Sequence, residues 1–95
     1  MVRLFEAMDK TGRRIYLTDE RWAHINEEHP EVSRYMEEFQ ELLKNPTKVR
    51  PSQFDAKIHH FYKYYKSNAK YLLLIVKYLN GEGFIITAYF TRKML

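Results

Sequence analysis

Cysteine is absent from the chain. That excludes a disulfide frame and any thiolate metal site, and it points to a reducing, cytoplasmic location. Glycine and proline are scarce, at three each, and no linker, internal repeat or low-complexity segment can be traced. Long hydrophobic runs are missing too. The longest, Tyr71 to Val76, is far short of the roughly 20 residues that a membrane-crossing helix needs. Met1 to Ala7 has no apolar run after a basic stretch, so neither a signal peptide nor a membrane partner is expected.

What remains is a chain of 95 residues, enough for one domain spanning 1–95 with one core. An apolar share of 45% against a charged share of 29% rules out disorder. Acidic residues are unevenly spread. Residues 1–48 hold eight Lys/Arg against ten Asp/Glu, a balance of −2; residues 49–95 hold eight against two, Asp55 and Glu82, a balance of +6. A cationic second half calls for a polyanion or an acidic partner rather than a small neutral ligand. Surface lysines that keep sheet edges from pairing explain part of it. Eight tyrosines are more than a core requires, because each buried hydroxyl needs a partner; they suit a surface that stacks on bases or docks a protein, although strand propensity also favours them.

The periodicity predicts an α+β fold. Val2 to Met8 and Ile15 to Leu17, around the Thr11-Gly12 turn, make a weak N-terminal hairpin. Thr18 is placed as an N-cap with Asp19 and Glu20 in the first turn. The helix that follows presents Trp22, Ile25 and Asn26 on one face and stops at His29, since Pro30 disfavours helical geometry before it. Pro30 then opens a second helix, whose Val32, Tyr35, Met36, Phe39, Leu42 and Leu43 recur at amphipathic spacing up to Asn45-Pro46. Beyond it come Lys48 to Arg50 as an edge strand and three longer strands, Ile58 to Lys66, Tyr71 to Leu79 and Phe84 to Phe90. The last two are joined by Asn80-Gly81, a strong hairpin signal. The expected architecture is two N-terminal helices on one face of a twisted antiparallel sheet of about four strands. Alternation puts Phe84, Ile86, Ala88 and Phe90 with Leu72, Leu74 and Val76 on the helix-covered face, and Trp22 in the junction. The open face then carries Thr87, Tyr89 and Thr91 beside Tyr71 and Lys77.

Four histidines are the chemical candidates. His24 and His29 are five apart, not the four that would pair them as metal ligands on a helix, so no metal and no cofactor is expected. His59 and His60 are adjacent on a strand and point to opposite faces; both are expected to act mainly through stability or binding. A histidine can carry a proton at neutral pH, and cleavage of an RNA phosphodiester needs that together with cations to hold the phosphorane charge. Arg50, Lys77 and Arg92 are cations on the strand half. Read from spacing alone, His24 is more readily a structural histidine hydrogen-bonded at the helix–sheet junction, and His29 an N-cap.

The stretch "IYLTDERWAHINEEHP", residues 15–30, followed in order by "NPTKVRPS", "FYKYY", "LLLIVK" and "GFIITAYFT", resembles the phage-associated small nuclease-fold domains of the barnase–EndoU–colicin–RelE superfamily. The resemblance spans about residues 15 to 93 and departs from the pattern at Glu28, often basic there, and at Phe90, often Pro; no glutamate matches the barnase-like base. It implies a nucleic-acid site on the open face with candidates at His24, His29, Arg50, Ser52, Lys77, Thr87, Tyr89 and Thr91. The expectation is therefore a metal-independent endoribonuclease of toxin type, with RNA as substrate and a small acidic antitoxin or immunity protein as partner. His24 is the first choice for acid or base and His29 its partner. Arg50 and Lys77 hold the phosphate, and Tyr89 and Thr91 position it. Two alternatives stand beside this reading. One is an RNA-binding module without catalysis, resting on Tyr62, Tyr64 and Tyr71; the other is a protein-interaction domain using the same Tyr-rich face.

Overall fold

Thr18 starts the first helix. Its hydroxyl accepts from the Arg21 N–H at 3.2 Å, and Asp19 and Glu20 follow in the first turn, satisfying orphan donors and complementing the helix dipole. In the structure, a computed structural model that describes residues 1–94, this helix, α1, spans Asp19–Glu28. His29 closes it by donating its N–H to the Ile25 carbonyl at 2.7 Å. The single helix expected from Pro30 onward is instead two pieces: a 3-10 turn at Pro30–Val32 and α2 at Met36–Lys44. The reason is local. The N–H groups of Ser33 and Tyr35 bond the carbonyls three residues back, those of Pro30 and Val32, and this tighter winding rarely lasts beyond three or four residues. The apolar pattern survives the break, since Val32, Phe39, Leu42 and Leu43 are all buried.

The strands are β1 (Arg3–Met8), β2 (Arg14–Thr18), β3 (Lys48–Pro51), β4 (Ile58–Tyr65), β5 (Lys70–Leu79) and β6 (Glu82–Thr91). They form one six-stranded sheet in the order β1-β2-β6-β5-β4-β3. This corrects the expected antiparallel sheet of about four strands. The N-terminal hairpin is part of the sheet, because β2 runs parallel to β6 through Arg14↔Glu82, Ile15↔Gly83 and Tyr16↔Phe84. Such pairing joins segments with both helices between them, a non-local contact that periodicity cannot show. Gly83 permits it: a Cβ there would lie 2.7 Å from Ile15 Cδ1 and 3.0 Å from the Tyr78 ring. Asn80 and Gly81 both take positive φ, 53° and 83°, as the two-residue turn joining β5 to β6 requires.

Both helices cover one face of the sheet, as expected. Ile25, Val32, Phe39, Leu42 and Leu43 share a core with Leu72, Leu74, Val76 and Ala88. Two placements differ. The pairing of β5 with β6 shifts at Ile75/Val76, where Ile75 opposes Thr87 and Val76 opposes Ile85. Ile86 is thus the extra residue of a bulge, and alternation reverses beyond it. Ile85 is fully buried in the core, whereas Phe84 and Ile86, expected there, are only partly buried. Trp22 is also partly buried rather than enclosed, meeting Phe39 edge-on at 5.8 Å. At the other end of the core a buried carboxylate, Asp9, ties the β1–β2 loop to β5. It accepts from the Thr11 N–H, the Thr11 hydroxyl, the Arg13 N–H and, at 2.5 Å, the Tyr78 hydroxyl.

Candidate nucleic-acid interface on the open sheet face

The register arranges the uncovered face in rows across the strands. Thr87, Ile75, His60 and Arg50 form one row, on β6, β5, β4 and β3; Tyr89, Leu73, Tyr62 and Lys48 form the next. Thr91, Tyr71 and Tyr64 lie beyond the second row, and Phe84, Lys77 and Ile58 on the far side of the first. Arg50 and His60 are thus direct cross-strand neighbours, with Cβ atoms about 5 Å apart, and Lys77 is diagonal to His60 at roughly 7–8 Å. Lys77 Nζ is held 3.6 Å from Asp55. The Asp55 carboxyl lies below the usual carboxylate range, first because it accepts from the Lys57 N–H and then, against a burial cost, because of the Lys77 charge. Arg50, His60 and Ser52 line a cavity of about 530 Å³ with Pro51, Gln53 and Phe54.

Charge is concentrated at this β3–β5 side. At the opposite end of the face Arg3 and Arg14 are neutralised by Glu6 and Glu82 at 3.3–4.0 Å. Arg50 and Lys48 form no ion pair among the described residues. Burial, and then the neighbouring His59, hold the His60 imidazole below its ordinary value, so it is predominantly neutral and able to accept a proton at pH 7.

Other expected site residues have different positions. His24 lies on α1, half exposed, with Nε2 2.8 Å from Glu28 Oε1; it lines a shallow depression with Glu20 and Arg21. Helix α1 packs against β6 and β2, and β3 lies three strand spacings beyond β6, about 14 Å at the usual separation. The structure therefore does not bring His24 to Arg50. His29 does reach the open face. Beyond Phe84 no strand among the described residues flanks β6 on the β2 side, and the helical corner fills that edge, with the His29 ring stacked on Tyr89 at 5.0 Å and 27°. Its Nδ1 is 3.8 Å from Glu31. The Thr87 hydroxyl is buried without a hydrogen-bond partner among the described residues, so it is closed to a ligand. Thr91 uses its hydroxyl in a turn with Lys93, accepting from its N–H and donating to its carbonyl. Arg92 is exposed beside it.

Nothing matches. Comparison with protein-family models, with curated proteins and with solved structures found no relative of this chain.

The tyrosines are not equivalent. Tyr62 is fully buried although it lies on the uncovered face, with the Tyr71 ring edge-on to it at 5.9 Å. Tyr64 is exposed and meets Tyr71 at 5.1 Å, so Tyr64 and Tyr71 are the rings a base could touch. Three positions were not among the sequence-derived site residues: His60, Lys48 and Phe54. Alternation from Tyr62 and Tyr64 puts His60 and, across the β3–β4 register, Arg50 on one face, but only once the pairing is known. Among the described residues no three His, Cys, Asp or Glu side chains are grouped as a metal site would require. No helix among the described residues is long and apolar enough to cross a membrane.

Proposed function

We propose that the open sheet face binds RNA and cleaves it with the substrate's own 2′-hydroxyl as nucleophile. The observation that carries this reading is the grouping of Arg50, His60 and Lys77 on three adjacent strands of one uncovered face. His60 takes the proton of the 2′-hydroxyl as its oxygen attacks the adjacent phosphorus. Arg50 and Lys77 hold the charge that builds on the phosphorane oxygens. The bond from phosphorus to the 5′ oxygen breaks, that oxygen takes a proton from the Lys77 ammonium, and the products are a 2′,3′-cyclic phosphate and a 5′-hydroxyl end. This is the metal-independent chemistry expected from the sequence, with His60 in the role expected there of His24.

The test is an end-labelled RNA incubated with the protein in excess EDTA. Cleavage leaving a 2′,3′-cyclic phosphate is expected. His60→Ala should lower the rate by about 10²–10⁴-fold, the usual loss for one positioned acid–base group, while His24→Ala leaves it within a few-fold. Loss of activity in EDTA, or equal cutting of 2′-O-methyl RNA, refutes the chemistry. A second reading, RNA binding without scission, is favoured by one observation: a single imidazole adjoins Arg50, while His24 faces Glu28 and His29 is stacked on Tyr89. Salt-sensitive binding with intact RNA would select it.

A further inference from the structure

Phe54 is almost wholly solvent-exposed, at 96%, yet the loop that carries it is tied down. The Ser52 N–H donates to the Ile58 carbonyl at 2.8 Å, and the Ile58 N–H donates to the Asp55 carbonyl at 3.0 Å. Inside that frame the Phe54 N–H donates to the Ser52 hydroxyl at 3.2 Å and the Lys57 N–H to Asp55 Oδ1 at 2.9 Å. Asp55 is further anchored to β5 through Lys77, and the Lys57 carbonyl accepts from the Tyr78 N–H at 2.8 Å. Five hydrogen bonds and the Asp55–Lys77 ion pair thus tie residues 52–58 to one another and to β5, with the aromatic ring exposed to water. It also lines the cavity that contains Arg50 and His60, whose volume of about 530 Å³ falls within the roughly 300–1,000 Å³ of small-ligand sites.

We infer that the 52–57 loop is a base platform: an unpaired nucleobase stacks on Phe54 inside this cavity while Arg50 holds the adjoining phosphate. The substrate class is then single-stranded RNA. The inference rests on the RNA reading above and deepens it. A base paired in an A-form duplex has both faces covered by its neighbours, and the narrow major groove of that duplex bars side chains. Only an unpaired base can offer a free face to Phe54. Strand cleavage by the 2′-hydroxyl has the same need, because the attacking oxygen must swing into line with the leaving 5′ oxygen, which a regular duplex resists. The occupant follows from charge: Arg50, which lines the same cavity as Phe54, is free of ion pairs among the described residues, and it lies on the half of the chain with a balance of +6. Ser52 has a positioning role, since its hydroxyl fixes the Phe54 backbone.

Fluorescence anisotropy with a 2′-O-methyl 12-mer in EDTA, which binds without being cut, tests this. The oligomer is compared alone and annealed to its complement, with the wild type, Phe54→Ala and Phe54→Trp. Stacking on one aromatic contributes about 5- to 150-fold in affinity per base. Phe54→Ala is expected to weaken single-strand binding within that range, without changing Tm, because the ring has no packing to lose. Phe54→Trp should keep the affinity, and its added fluorescence over the wild-type Trp22 signal should be quenched by the single strand. Duplex should bind more weakly and respond little to either change. If the wild type binds single strand and Phe54→Ala binds it equally well, or if duplex binds as tightly as single strand, the platform is refuted and the RNA reading stands. If neither oligomer binds the wild type, both fall.

Discussion

Replacing Tyr78 by Phe removes one oxygen from the best-connected polar cluster in the molecule. Asp9 is 4% exposed, and among the described residues the Tyr78 hydroxyl is one of four donors to its carboxylate and the only one arriving from across the sheet. Burial, and then the hydrogen bond to Asp9 and its charge, push the Tyr78 hydroxyl far above its ordinary value, so it remains a donor over the whole working range. Burial alone would raise the Asp9 carboxyl, but the bonds from Thr11, Tyr78 and Arg13 outweigh it and leave it lowered. A hydrogen bond to a charged group contributes about 1.5–3 kcal/mol, and Tyr78→Phe keeps the ring that packs under the Arg13 guanidinium at 3.7 Å. The expected loss is therefore about 2 kcal/mol at pH 7. At about 4–8 °C per kcal/mol for a domain of this size, Tm drops by roughly 10 °C. Urea unfolding followed by circular dichroism measures it. The pH dependence gives a second readout. A carboxyl lowered in the folded state contributes stability that is present above its unfolded value, near pH 4, and is lost as pH falls through the folded value. The gap between wild type and Tyr78→Phe should thus narrow below about pH 4. A loss under 0.5 kcal/mol at pH 7, or a gap that is constant down to pH 3, would falsify the claim that this bond pins the β1–β2 loop to β5.

Three further outcomes are expected. His59 is held below its ordinary value by burial and then by the Arg13 charge, and His60 by burial and then by His59; the unfolded chain binds these protons more readily, so stability should be full above about pH 6.5 and decline on acidification, and His60→Gln should flatten that limb in urea midpoints measured from pH 7.5 to 5. Gly83→Ala should destabilise by about 1–3 kcal/mol, since its methyl would meet Ile15 at 2.7 Å where β2 joins β6; an unchanged urea midpoint would show that the parallel pairing yields easily. Arg50→Ala and Lys77→Ala should each reduce the slope of log binding constant against log salt by about one for RNA, while Glu37→Gln and Glu41→Gln on α2 leave it unchanged.

Local chemistry was legible in the sequence wherever the cause is local. The Thr18 cap, the stop at His29-Pro30, the Asn80-Gly81 turn and the burial of Val32, Phe39, Leu42 and Leu43 depend on neighbours within a few residues, and each holds in the structure, although the helix expected to carry that apolar set is broken in two. The opposite faces of His59 and His60 follow from the pleat alone, and the β4–β5 register agrees with it. The charge division of the chain was likewise readable without a fold. Tertiary structure decided the rest. The parallel β2–β6 pairing and the bulge at Ile86 arise from contacts across the chain, and the bulge exchanges Ile86 for Ile85 in the core, because one added residue inverts a period of two. The same non-local register sets Arg50 beside His60 and Lys77 diagonal to it, while α1 carries His24 away beside Glu28. A sequence names which residues can bear charge or a proton; which of them share one surface is settled only when strands distant along the chain find their register.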